Sequence, residues 1–307
     1  MKIVYVVLHY LATLDTIECV ESIFNNVKSQ KHDSEIVVVD NGSPNGSYAD
    51  LEKAFENYPS VTLIRSEENL GFARGNNIGY QYAKYKKNAD FIVLLNNDTI
   101  INQSNFTDII VRKFEEKQYS VLGPDIVSAA GYHQNPGRKQ SWNLKELVIF
   151  RLKKRNRLLL SYLHMDSLAS KVIEQVKEIY RTETLVGDME NTILHGACLI
   201  FSPLYVKRFE GLHDKTFLYM EEDILKLYAD FYGFLMLYSS ELQIYHREDV
   251  ATNMVEATND KKARLKYKYL IASSKIYSRL KKNMIAKKKI INTAEKVVGR
   301  AKAGGIR

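Results

Sequence analysis

Three short apolar runs near the start of the chain stop abruptly at polar side chains: IVYVVL before His9, EIVVV before Asp40 and FIVLL before Asn96. Continuous runs of this length suit strands buried on both faces. Between them the period changes. Ile17, Val20, Ile23, Phe24 and Val27 recur at helical spacing over 16–27, and 49–58 and 73–86 also read as helices. The strands are expected at 3–8, 35–40, 61–65 and 90–95. Strand–helix alternation at this spacing predicts an α/β fold with a mainly parallel sheet and helices on both faces.

In such sheets ligands sit just beyond the carboxyl ends of the strands. Asp40 follows one apolar run directly, and Asp98 closes the Asn96-Asn97-Asp98 cluster after another. Asp and Asn start turns for purely local reasons. Two such strand ends with a glycine-rich connection between them, NLGFARGNNIG over 69–79, favour a site instead.

The 307-residue chain has room for one large domain or two small ones, and its composition is that of a globular protein. Cys19 and Cys198 are isolated, which suits neither a disulfide framework nor a zinc site and points to a reducing compartment. The first residues are expected to be a strand and a helix rather than a signal peptide, because Asp15, Glu18 and Glu21 follow closely. No apolar run approaches the roughly 20 residues of a membrane span.

Charge is segregated. Residues 261–307 carry 16 Lys and Arg against one acid, Glu295, leaving 28 basic and 35 acidic residues elsewhere. A mildly acidic body with a strongly basic tail suggests an anionic partner, membrane or nucleic acid. The tail mixes Lys and Arg with Tyr, Leu and Ile at helical spacing, as basic helices on anionic membranes do. A solvated tail or an oligomer contact is the plainer alternative. Over 125–190 the pattern loosens, and this stretch is read as an insertion. It contains LKELVIFRLKKRNRLLLSYL, an amphipathic helix suited to lie on a membrane, cover a substrate or pack on the body. Strand-like order returns over 192–201 and 235–245, with an acid-bearing helix over 219–231 between them.

Four pieces, VVVDNGS (37–43), NLGFARGNNIG (69–79), LLNNDT (94–99) and FLYMEEDIL (217–225), together resemble the inverting glycosyltransferases of family 2, with the GT-A fold. The resemblance covers roughly residues 1–246, with 247–307 as a helical basic extension. Within the family the chain looks most like bacterial transferases that build rhamnose- or galactose-containing surface polysaccharides.

The resemblance implies a nucleotide-diphosphate sugar donor, UDP- or dTDP-linked, and a glycan or lipid-linked acceptor at the inner face of the cell membrane. No nucleic acid partner is expected, and an oligomer is left open. Mn²⁺ or Mg²⁺, which take hard oxygen ligands, would offset the charge of the leaving diphosphate. The family's D-x-D-like motif reads Asn96-Asn97-Asp98 here, so Asp98 is the expected metal ligand and its first acid is missing. His246, in LQIYHR, matches a histidine of relatives and is the candidate second ligand. A lone His is more often structural.

Asp40 matches the acid that hydrogen-bonds the donor base, with Asn41 beside it; His9 and Tyr10 match a stretch lining the same pocket. Asn69, Gly71, Phe72, Arg74 and Asn76 occupy the next connection. There glycine lets backbone approach a ligand, Arg74 suits phosphate, and the helix start adds positive potential. An inverting transfer needs one base for the acceptor proton. The family alignment favours Glu222, with Asp223 a close competitor and Glu221 adjacent, although acids also favour helix starts. His195, Gly196 and Ala197 resemble a segment beneath the acceptor.

Two rivals make different demands. A dinucleotide-dependent oxidoreductase needs G-x-G-x-x-G after the first strand. LHYLATLD has no glycine, and the same absence counts against a sugar-nucleotide pyrophosphorylase. A non-catalytic binding protein fits the tail and Asn96, but not the joint presence of Asp40, Asp98 and Glu221–Asp223.

Overall fold

A computed structural model describes residues 1–27, 31–163, 185–247 and 259–304. Nine strands form one mixed sheet among these residues. They are β1 (Lys2–His9), β2 (Asp33–Asp40), β3 (Val61–Arg65), β4 (Phe91–Asn96), β5 (Thr99–Ile100), β6 (Val121–Ser128), β7 (Asp188–Glu190), β8 (Cys198–Phe201) and β9 (Met236–His246). The order is β3-β2-β1-β4-β8-β6-β9-β5, with β7 beside β9. Strands β3, β2, β1 and β4 are parallel, and β8 enters antiparallel to β4.

The unbroken apolar runs follow from burial on both faces. Ile3, Tyr5 and Val7 enter one core with α1 (Thr13–Val27), α2 (Ser47–Phe55) and α4 (Phe106–Lys117). Val4 and Val6 enter the other, with α3 (Phe72–Tyr85), α6 (Pro203–Arg208) and α7 (Glu221–Tyr232). Successive side chains of a strand point to opposite faces, so both sets must be apolar. Gly79 lets α3 pack close: a β carbon there would stand 2.3 Å from Val6 Cγ1.

Boundaries shift where backbone geometry overrides pattern. The strand expected over 192–201 is ordered as sheet only at Cys198–Phe201. Before it the chain pairs with the segment around Gly137 instead, through Gly137 N–H to Ile193 O and Ile193 N–H to Arg138 O. The helix expected over 219–231 begins at Glu221, because Tyr219 and Met220 both take φ 70°. The loosely patterned region contains β6 and α5 (Leu144–Tyr162), the latter started by an Asn143–Glu146 capping box. It also contains β7, and its residues 164–184 lie outside the described residues.

The basic tail forms α8 (Asn259–Gly304). It lies against α5 and α7 through a third apolar cluster, with Tyr277, Leu147 and Ile224 buried in it. Among the described residues no helix is long and apolar enough to cross a membrane.

Candidate active site

Parallel register brings three strand ends together: His9 pairs with Asp40, and Leu8 with Asn96. A cavity of about 780 Å³ opens beyond these ends. Its lining includes fifteen of the sequence candidates and excludes four, His9, Asp40, Arg74 and Asn76.

The loop side is held by amide side chains. Asn41 Nδ2 donates to Asn69 Oδ1 and to Gly71 O, both at 3.1 Å, while its Oδ1 accepts from Leu70 N–H at 3.0 Å. Asn69 Oδ1 also accepts from Gly71 N–H. These two side chains therefore shape the loop, and both line the cavity. Gly71 has φ 81°, and Phe72 N–H donates to Phe217 O at 2.8 Å. That bond ties the loop to the opposite wall.

The four candidates outside the lining differ in kind. His9 is wholly buried between Thr16 Oγ1 and Ser47 Oγ, at 2.7 and 2.8 Å. Burial pushes its imidazole down to about 4, so it is neutral and structural. Asp40 is buried beside it. One oxygen accepts from Ser43 N–H; the other has no hydrogen-bond partner and faces Arg65 Nε at 3.6 Å. Asn76 is buried with its Oδ1 unpartnered. Arg74 is exposed on α3.

At the end of β4, Asn97 turns inward to Thr16 Oγ1 (3.0 Å). Asp98 is buried, and its Oδ1 has no hydrogen-bond partner. His246 Nε2 stands 3.2 Å from that oxygen, placed by the pairing of Thr99 with His246 in the β5–β9 ladder. His246 Nδ1 lies 2.7 Å from Gln134 Oε1. With that amide oxygen as acceptor, Nδ1 carries a proton, and Nε2 faces the carboxylate across a gap that either a proton or a cation can bridge. The donor set, one carboxylate and one imidazole, suits a divalent ion that takes its other ligands from phosphate oxygens and water. No group of three or more His, Cys, Asp or Glu around a common point occurs among the described residues, so the protein alone offers an incomplete shell.

The opposite wall carries the acids. The left-handed turn at Tyr219 and Met220 swings the start of α7 into the cavity. Glu222 Oε1 accepts from Gly196 N–H at 3.1 Å, and a β carbon on Gly196 would meet that oxygen at 2.7 Å. Asp223 pairs with Arg138, whose guanidinium lies 3.6 Å above the Trp142 ring. Burial nevertheless pushes Asp223 up to about 6. Burial, with Glu222 alongside, drives Glu221 well above the ordinary carboxylate range. Of the three acids, Glu222 is the one set against the Gly196-Ala197 backbone. Beneath it, His195 Nδ1 accepts from Ala197 N–H, and the His195 and His246 rings meet edge to face at 5.7 Å.

Several lining residues carry no signal of a role in the sequence. Gln134 and Trp142 come from the loosely patterned region; Phe217 opens the FLYMEEDIL piece, in which only the acids suggest a role. Lys262, Leu265, Lys266, Tyr269 and Leu270 come from α8. Their spacing of three and four residues marks one helix face, and in a basic helix that pattern is the same for a membrane surface as for a cavity wall.

Residues 7–173 match the family model described as "Glycosyl transferase family 2". Over 102 residues the chain is 28% identical to the low-salt glycan biosynthesis hexosyltransferase Agl10 of Haloferax volcanii, covering 33% of this chain and 31% of that protein. Among solved structures it is similar to S. aureus TarS 1–349, with a TM-score of 0.51 and 16% identity, covering 80% of this chain and 60% of that one. The same fragment in complex with UDP-GlcNAc gives a TM-score of 0.53 at 16% identity, covering 89% and 66%. The chain thus spans under two thirds of each of these relatives. The likeness to TarS shows the fold, an α/β GT-A-like architecture.

Proposed function

The chain belongs to glycosyl transferase family 2, and from that premise we propose that it is an inverting glycosyltransferase using a UDP- or dTDP-sugar. The observation that carries the reading is one cavity that gathers three kinds of group. Glu222 against Gly196, the Asp98–His246 pair, and the loop of Asn41, Asn69 and Gly71 all line it. The solved TarS complexes contain UDP and UDP-GlcNAc, which favours a uridine nucleotide here.

Asp40, with one oxygen lacking a hydrogen-bond partner, is our candidate for the donor base, although it is buried and outside the cavity lining, where its neighbour Asn41 stands. Asp98 and His246 would hold Mn²⁺ or Mg²⁺, which when bound supplies positive charge to the leaving diphosphate. Glu222 takes the proton of an acceptor hydroxyl as that oxygen attacks the anomeric carbon from the opposite side. The bond from that carbon to the diphosphate breaks, and its electron pair leaves with the nucleotide. Arg138 holds Asp223 out of the role of base.

The acceptor is a glycan or a lipid-linked glycan of a surface polysaccharide, reached at an anionic membrane. One face of α5 supports this. Val148, Leu152 and Leu159 are 48%, 53% and 63% exposed, and all lie on the side away from buried Leu147. Exposed Lys153 and Arg155 flank them, the pattern of an interfacial helix.

Calorimetric titration of UDP and dTDP, each with and without Mn²⁺, tests the reading. Mn²⁺-dependent binding of one of them is expected. Binding of neither under any condition would sink it.

A further inference from the structure

We propose that Lys262 and Lys266, on the first turns of α8, complete the binding site for the donor diphosphate. The proposal rests on the transferase reading and adds to it a part of the site that lies outside the family model's match at 7–173.

The cavity has a charge problem. Its lining contains the carboxylates of Asp98, Glu222 and Asp223, beside Glu221, which burial drives toward its neutral form. A nucleoside diphosphate is itself a multiple anion, and in a partly enclosed site like charges repel strongly. One divalent ion is the family's answer, but the first acid of its binding motif is Asn96 here. Arg74, the cation expected at the phosphates from sequence, is exposed and outside the lining. Among the described residues, the Lys and Arg side chains that line the cavity are Lys262 and Lys266.

Their placement is fixed by packing. Positions 262, 265, 266, 269 and 270 lie at helical i, i+3, i+4, i+7 and i+8 spacing, so one face of α8 forms the wall. Tyr269 stacks on Phe217 with ring centroids 4.8 Å apart and planes 22° apart. One turn further on, Ser273 Oγ donates to Leu218 O at 2.8 Å. Phe217 O in turn accepts from Phe72 N–H in the glycine loop. The helix that carries the lysines is therefore tied through Phe217 to the loop expected to bind the donor. Lysine places a compact charge with three rotatable donors on a long stem, so it can follow a diphosphate as it leaves.

The same chemistry would serve a phosphate on the acceptor, so the test uses the donor nucleotide alone. UDP and uridine are titrated into the full chain carrying Lys262→Ala, Lys266→Ala, both together, or Lys268→Ala, which removes an exposed lysine off this face. The double variant is expected to bind UDP about 10-fold or more weakly, the loss that follows from removing charged hydrogen bonds. Uridine affinity should be unchanged, Lys268→Ala should behave as wild type, and Lys→Arg at both positions should restore most of the UDP binding. UDP binding equal in the double variant and wild type would overturn the proposal, as would an equal loss for uridine. If only dTDP binds, dTDP and thymidine are the titrants; failure of the wild-type chain to bind either nucleotide would instead overturn the transferase reading on which the proposal stands.

Discussion

A β carbon on Gly71 would stand 2.2 Å from the carbonyl oxygen of Phe217. The two residues belong to opposite walls of the cavity, and Phe72 N–H donates to that same oxygen. Contact this close leaves no room for any side chain, so glycine is required by space as well as by its φ of 81°.

Gly71→Ala should therefore cost more than conformation alone explains. A loss of about 2–4 kcal/mol in chemical denaturation is expected, combining backbone strain with overpacking. Gly46 has a similar φ of 79° but nothing within 4 Å of a β carbon. Gly46→Ala should cost only about 1 kcal/mol. Equal losses at the two sites would show that the Phe217 contact yields freely.

Glu222→Gln should lower kcat by roughly 10²–10⁴-fold, the range for loss of a general base. Nucleotide affinity, measured by calorimetry, should not change. Asp223→Asn should have the smaller effect on kcat, since Asp223 is occupied by Arg138. The reverse ranking would make Asp223 the base.

Asp223 also gives stability a pH dependence of defined sign. Its folded pKa, about 6, lies above the ordinary aspartate value of 3.8. Between those values the folded chain binds more protons than the unfolded one. The contribution of Asp223 is therefore fully present below pH 4 and is lost as pH rises through 6. Relative to Asp223→Asn, wild type should lose roughly 3 kcal/mol of unfolding free energy over that window. Denaturation curves from pH 4 to 7 measure it; a constant difference would contradict the burial argument.

Asp98→Asn and His246→Ala should each remove the Mn²⁺-dependent part of UDP binding and leave the metal-free affinity in place. In wild type, EDTA should lower affinity to that same level. A metal response intact in both variants would show that the 3.2 Å pair is structural.

Replacing Val148, Leu152 and Leu159 together by Ser should weaken sedimentation with anionic vesicles, since their exposure makes them dispensable to the core. Circular dichroism should be unchanged. Undiminished vesicle binding would move membrane contact to the exposed lysines of α8.

The strands are legible in the sequence because burial on both faces leaves no alternative to an unbroken apolar run, as Ile3 to Leu8 shows. The glycine loop is legible because turns need special residues, and Asp98 because a polar cluster ends an apolar strand. His9 is not: a histidine after a strand looks the same whether its ring faces a ligand or, as here, Thr16 and Ser47. Nor is Arg74, whose place on the exposed side of α3 depends on which helix face meets the sheet.

The α/β class, the end of the sheet that holds the site and the residue types gathered there all follow from sequence. They depend on local period and on chemistry that a neighbouring handful of residues can express. Folding in three dimensions was needed to bring Asp98 to His246, to lay Glu222 rather than Asp223 on Gly196, and to close the cavity wall with basic α8. Each of these joins positions far apart in the chain. Such contacts are set by strand order, by the left-handed turn at Tyr219 and Met220, and by the burial of Tyr277, none of which leaves a local pattern to read.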